Sequence, residues 1–347
     1  MGSNLAFVLR SFRTKPKLMQ RMVIGYMRAF TSSSGPMRFM DVAVSYDCNF
    51  SCGHCSAEAL KSNKSPLSIM EYKRIAREAI DCGVMAFHFT GGEPLLRNDL
   101  LEVIDVFQPR KNLISIQTNG WFVTDDFLKA YRSIGGDILS VSVDSVTPES
   151  HDSFRHKEGS WKKAVRALRR GKAFGLRTLM AATVTHQSMN DGELEALTKY
   201  SRSLGAILSL NLAVPAGNWQ GCDDFILTAE DREKLNLHIT ANPHVRTDFQ
   251  SNWRKRGCPA FKEKCYLSPY GDVIPCPFIH VKFGNVREQS LKDIRRNALQ
   301  QDWLKVYHPV CIAAESREFI ASAGCYKENL GRMPLDYRAS QAFHSKV

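Results

Sequence analysis

No run of about 18 apolar residues occurs in this chain, so no segment reads as a membrane-spanning helix. No secretory signal opens it: the apolar stretch at 5–9 is cut by Arg10, and no cleavage-like site follows. The first 40 residues lack Asp and Glu altogether but hold seven Lys and Arg, more than half of the net charge of +12. The remainder is mildly basic. It has no aromatic-interleaved basic stripe and no nucleic-acid reader motif, so no nucleic-acid partner is expected. An anionic substrate or an anionic lipid surface fits the charge at least as well. Internal repeats and low-complexity tracts are absent too. No G-x-G-x-x-G opens the first helix, which removes the dinucleotide fingerprint.

Cysteine, in contrast, is plentiful, at ten in 347 residues. Without a secretory signal a reducing, cytoplasmic compartment is expected, and cysteine clusters there mark metal or redox chemistry rather than disulfides. Three cysteines lie within 48–55 and five between 258 and 325. Cys82 and Cys222 stand apart and read as incidental small apolar residues.

The pattern along the chain divides it in three. Residues 1–39 form a basic extension with an amphipathic helix over 5–30, broken near Pro16. It is suited either to lie peripherally on anionic lipid or to seal the bottom of the next domain. Residues 40–217 alternate strand and helix. Buried-strand runs fall at 40–46, 84–90, 113–118, 138–144, 177–184 and 206–214, with helical patterns between them. The first of those helices opens on a capping box, Ser68 with Glu71, and stops at Gly83. Such alternation predicts right-handed βαβ units and a parallel sheet, an α/β fold best described as a partial (β/α)6 TIM-like barrel. An open doubly wound sheet is the alternative. Residues 218–347 read as a linker helix over 228–239 and a small cysteine-rich module. That module has a β-hairpin over 258–277, turning at 269–272, and a helix over 290–306.

Cys48, Cys52 and Cys55 place three thiolates on one short loop after the first strand. Three thiolates bind three irons of a cubane and leave the fourth open, whereas a structural zinc or an electron-transfer cluster takes four protein ligands. A partial zinc site, with His54 as the fourth donor, is the competing reading of the spacing.

The C-x3-C-x2-C spacing resembles the radical SAM superfamily. The resemblance implies a [4Fe–4S] cluster whose open iron is chelated by S-adenosylmethionine (SAM). One electron from a reductant such as flavodoxin or ferredoxin then yields methionine and a 5′-deoxyadenosyl radical, which takes hydrogen from substrate. His54 stands where the family usually has an aromatic near adenine. Gly91, Gly92, Glu93 and Pro94 resemble the segment whose backbone and carboxylate meet the SAM ammonium; glycines permit close approach, and a carboxylate complements a cation. Asn119 ends the third strand, and Ser142 and Asp144 resemble the ribose-contacting positions of the fourth. Arg155 is placed to touch the SAM carboxylate or to serve as an ion-pair residue. Thr183, Thr185 and residues 211–214 would border adenosine. All these positions share the strand C-terminal ends, the catalytic face of β/α barrels.

Cys258-x12-Gly271-x4-Cys276 resembles the opening of the auxiliary-cluster modules called SPASM and twitch. A full SPASM module holds two clusters and needs more cysteines than the five here, so the resemblance implies one twitch-like auxiliary [4Fe–4S] cluster. Its expected ligands are Cys258, Cys276, Cys311 and Cys325, with Cys265 an alternative for a late one; structural zinc is the plainer reading. The cluster would relay an electron from a substrate radical or anchor substrate. The short segment ahead of the core leaves little room for the leader-binding domain that peptide modifiers often carry. The expected substrate is therefore a small, anionic or lipid-linked metabolite, oxidised or rearranged. A ribosomal peptide is the alternative. A non-catalytic iron–sulfur carrier is the alternative of another class.

Overall fold

The computed structural model describes residues 14–31, 37–248, 257–322 and 333–338. Six strands run in parallel and in sequence order: β1 (Phe39–Ser45), β2 (Ala86–Gly91), β3 (Leu113–Thr118), β4 (Ile138–Ser142), β5 (Arg177–Val184) and β6 (Ile207–Leu212). Helices cross between them: α2 (Ile69–Asp81), α3 (Leu100–Val106), α4 (Asp125–Ile134), the pair α5 (Pro148–Arg155) and α6 (Ser160–Ala173), and α7 (Glu193–Leu204). This is the α/β partial barrel that the alternation predicts. The Ser68–Glu71 capping box closes as expected, with each partner accepting from the other's backbone N–H.

Alternation along each strand separates helix-facing from lumen-facing side chains. On β2, Phe87 and Phe89 pack on Phe107 beyond α3, with ring centroids 4.8 and 5.2 Å away. Between them His88 turns the other way and meets Ser115 Oγ at 2.6 Å.

Two features of the sheet are not legible in the pattern. A short β7 (Val245–Thr247), following α8 (Ala229–Ala241), adds in parallel to β6. At the opposite edge β8 (Lys264–Leu267) adds in parallel to β1, with Cys265 beside Met40. Strand β9 (Asp272–Ile274) folds back on β8 around the expected turn. The C-terminal hairpin thus continues the barrel sheet rather than standing apart from it. The helix expected over 290–306 is two, α9 (Leu291–Ala298) and α10 (Asp302–Lys305). The break at Gln301, whose backbone is extended, lets Trp303 and Leu304 be buried.

The N-terminal helix α1 (Pro16–Thr31) docks at the strand N-terminal ends. Just ahead of it, buried Lys15 donates to Asn112 O and Gly135 O, both at 2.8 Å, and pairs with Asp137. Arg21 donates to Val84 O and Asn112 Oδ1. Of the two roles expected for this helix, sealing the barrel bottom is the one these cations perform. They face the barrel. Among the described residues no helix is long and apolar enough to cross a membrane.

Candidate active site

The loop carrying Cys48, Cys52 and Cys55 leaves β1 and is clamped from three sides. First, the turn after β2 lies directly on its start: Gly92 N donates to Ser45 O and Glu93 N to Asp47 O, both at 2.8 Å. A Cβ at Gly91 would stand 2.0 Å from Ser45 O, and one at Gly92 2.2 Å from Asp47 O, so both must be glycine for the two loops to touch. These glycines, expected to admit a ligand, first admit the neighbouring backbone.

Glu93 is likewise not an open carboxylate. It is fully buried and accepts from Asn119 N (2.7 Å), Thr118 Oγ1 (2.8 Å) and Leu95 N (3.1 Å), stapling the β2 end to the β3 end. Burial raises its pKa to about 7. The expected contact with the SAM ammonium is therefore not prepared by this side chain. What faces the loop is Asn119, whose Nδ2 donates to Asn49 Oδ1 at 2.8 Å.

Second, α5 and the residue after it grip the loop. His156 Nδ1 meets Ser51 O at 2.8 Å, and the Cys52 thiol points at Arg155 O, 3.6 Å away. The Arg155 guanidinium is bound to Asp144, Nε to Oδ2 2.6 Å, and the other Asp144 oxygen accepts from Thr183 N at 2.9 Å. Of the two roles expected for Arg155, this is the ion pair. It occupies Asp144 as well, while Ser142 Oγ accepts from Gln117 Nε2 at 3.0 Å. Thr185 is turned to a local cap with Ser188. Asp144, Arg155 and Thr183 are thus joined to one another, with Ser142 held by Gln117 and Thr185 by Ser188.

Third, a turn at Gly217–Trp219 docks on the loop. Asn218 N donates to Cys55 O and Asn218 Nδ2 to Cys52 O, both at 3.0 Å. His54 lies among Phe154, stacked at 4.4 Å, and Trp219, tilted at 5.6 Å. Burial and the nearby Arg155 cation lower its pKa to about 3, so the ring is neutral.

The donor set fits a cubane. Burial raises the Cys48 thiol to about 11 and raises Cys52 too, and the neighbouring thiols add to both. A bound metal supplies the charge that holds such thiols as thiolates. Buried donors at the same mouth also lack partners: Asn49 Nδ2 beside Cys48, and Gln220 Nε2 just past the turn. Asn49, Asn218 and Trp219 escape sequence reasoning, because only the fold brings 217–219 against 52–55.

In the C-terminal module Cys258, Cys276 and Cys311 converge from three segments, each thiol raised by burial and Cys311 further by the other two. Cys276 reaches about 12. Cys265 is not brought to them: it is buried on β8 against β1, with Asp41, Cys82 and Arg295 as its charged and thiol neighbours. Cys325 lies outside the described residues.

A cavity of 790 Å³ lies between the two cysteine sets. Its barrel wall is 214–217 with Gln220, continuous with the turn on the cysteine loop. Its far wall holds Phe278 and His280, just past Cys276, and 313–315, just past Cys311.

Comparison with known proteins decides the family. Residues 42–200 match the family described as the radical SAM superfamily, and 258–318 match SPASM, an iron–sulfur cluster-binding domain. This chain belongs to the radical SAM superfamily. It is an enzyme of that class with a SPASM domain, for which the [4Fe–4S] cluster, SAM and auxiliary iron–sulfur clusters are the cofactors. An AdoMet-dependent heme synthase of Nitratidesulfovibrio vulgaris is 24% identical over 84% of this radical SAM chain and 91% of its own. The antilisterial bacteriocin subtilosin biosynthesis protein AlbA of Bacillus subtilis is 26% identical over 74% of this chain and 59% of its own. Among solved structures, Streptococcus suis SuiB bound to precursor peptide SuiA superposes with a TM-score of 0.61 at 17% identity. That match covers 76% of this chain and just under two thirds, 65%, of SuiB. The likeness shows the fold.

Proposed function

We propose that this radical SAM enzyme removes hydrogen from a peptide substrate seated in the cavity between its two cysteine sets. The relatives favour a peptide over the small lipid-linked metabolite that the sequence suggests. AlbA, a PqqA peptide cyclase 26% identical over 84% of this chain, and the peptide-bound SuiB all point that way. The heme synthases, which match over more of their own length, keep a tetrapyrrole as the second reading. The observation that carries the proposal is the cavity itself, which touches both the turn on the 52–55 loop and the residues following Cys276 and Cys311.

The roles follow from this placement. Cys48, Cys52 and Cys55 would hold the SAM-binding cluster, with the backbone of Gly91–Pro94, Asn49, Asn119 and Ser142 around SAM. Cluster and SAM, when bound, supply the 5′-deoxyadenosyl radical. Arg155 keeps a cation beside Cys52, while Phe154, His54 and Trp219 exclude water from that side. Cys258, Cys276 and Cys311 would hold an auxiliary cluster, with Cys325 the proposed fourth ligand; such a cluster would supply a one-electron acceptor beside the substrate. The first electron comes from a flavodoxin- or ferredoxin-type reductant. To test this, the anaerobically reconstituted enzyme is given dithionite, SAM and short peptides encoded beside its gene. A peptide losing hydrogen by mass, together with 5′-deoxyadenosine, is expected. Conversion of a tetrapyrrole and of no peptide would move the assignment to the second reading.

A further inference from the structure

The cavity between the cysteine sets has an unequal supply of hydrogen-bonding groups. Its donors are in surplus. Gln220 Nε2 is buried without an acceptor. Arg317, on the helix Arg317–Ser322, lines the cavity and has no acidic partner among the described residues. Arg232 is partly engaged, its Nε lying 3.5 Å from Glu315 Oε1. The acceptors are mostly spent. The other Glu315 oxygen takes the Cys311 N–H. His280 is neutral, its pKa lowered by burial to about 4; its Nε2–H donates to Pro277 O at 3.0 Å, which leaves Nδ1 as the acceptor it keeps. Asp223 remains, exposed at the rim. Between these groups the walls are apolar: Ile226, Leu227, Phe278, Phe319 and Ile320.

The buried Gln220 Nε2 without an acceptor is costly, and a ligand that supplies one removes that cost, while Arg317, exposed at the cavity wall, adds a cation. An arginine and an amide lining one largely apolar cavity suit a carboxylate, which accepts from both. We infer that this cavity binds an apolar, aromatic-bodied ligand through a carboxylate received by Arg317 and Gln220. The inference rests on the placing of the substrate in this cavity and adds what the substrate must carry. In a peptide, the C-terminal carboxylate of an aromatic residue has this form; in a tetrapyrrole, a propionate side chain has it. The orientation also follows. With the carboxylate at Arg317, the apolar body extends toward 214–217 and the cysteine loop beyond.

Equilibrium binding to the reconstituted holoenzyme with SAM tests this in two arms. One arm compares a hexapeptide ending in free phenylalanine with its C-terminal amide. The other compares mesoporphyrin with its dimethyl ester. The acid should bind about tenfold more tightly than its neutral analogue in at least one arm. R317Q, a change at an exposed position, should bring that ratio close to one, and Q220L should reduce it. A preference confined to the porphyrin arm keeps the carboxylate site and overturns the peptide assignment. Equal binding of acid and neutral forms in both arms, or a ratio that R317Q leaves intact, overturns the inference. Formation of 5′-deoxyadenosine by the same wild-type preparation is read separately. A failed binding test is thereby distinguished from a failed radical assignment.

Discussion

Gly92 stands where a side chain would meet the Asp47 carbonyl, and this one contact sets how closely the loop after β2 supports the cysteine loop. Replacing it with alanine should cost about 2 kcal/mol, the scale of overpacking a close contact. It should also lower the iron retained by the 48–55 loop after reconstitution, measured by iron assay and chemical denaturation. Glu93 makes a pH prediction. Its pKa is raised from 4.5 to about 7, so the folded state keeps a proton that the unfolded chain releases. Stability from this group is therefore full below pH 4.5 and is lost as pH rises toward 7. Denaturation midpoints of wild type should fall across that window more steeply than those of E93Q; parallel profiles would contradict the assignment. The sequence placed Gly91, Gly92, Glu93 and Arg155 after strand C-terminal ends, where the structure has them, since motif and strand end coincide. Their contacts were not legible. Whether a carboxylate meets a ligand or a neighbouring strand depends on the approach of β3, which no local pattern encodes.

Among the elements, the N-terminal helix α1 is anchored by the buried Lys15–Asp137 pair. Breaking a buried pair leaves an uncompensated charge, so K15A should destabilise the fold by about 3–5 kcal/mol, read by denaturant unfolding. A change within 0.5 kcal/mol, as for an exposed residue, would mean that the helix is not part of the folded unit. The six parallel strands were legible because each is a buried run bounded by turn residues. Strand β7, at three residues, was not, and β8 was legible as a hairpin strand but not as the edge partner of β1, because the edge a short strand joins is set by the fold. The split between α9 and α10 follows the same logic: burial of Trp303 and Leu304 overrides a continuous helical pattern.

For the whole molecule, the 48–55 loop and the hairpin that bears Cys258 and Cys276 are carried on one sheet, because the hairpin joins β1 directly. That continuity fixes the cavity between them and predicts separable metal sites. Reconstituted wild type should hold about eight irons, two cubanes of four. A C258A/C276A double variant should fall to about half of that and still form 5′-deoxyadenosine without turning over substrate. The spacing of Cys258 and Cys276 was legible, but the separation of Cys265 from them was not. Its direction is set by the pairing of β8 with β1. The most direct measurement replaces Cys48, Cys52 and Cys55 together with alanine and assays 5′-deoxyadenosine under dithionite and SAM. The product should vanish while about half of the iron remains; product that persists would contradict the assignment of the SAM-cleaving cluster to this loop.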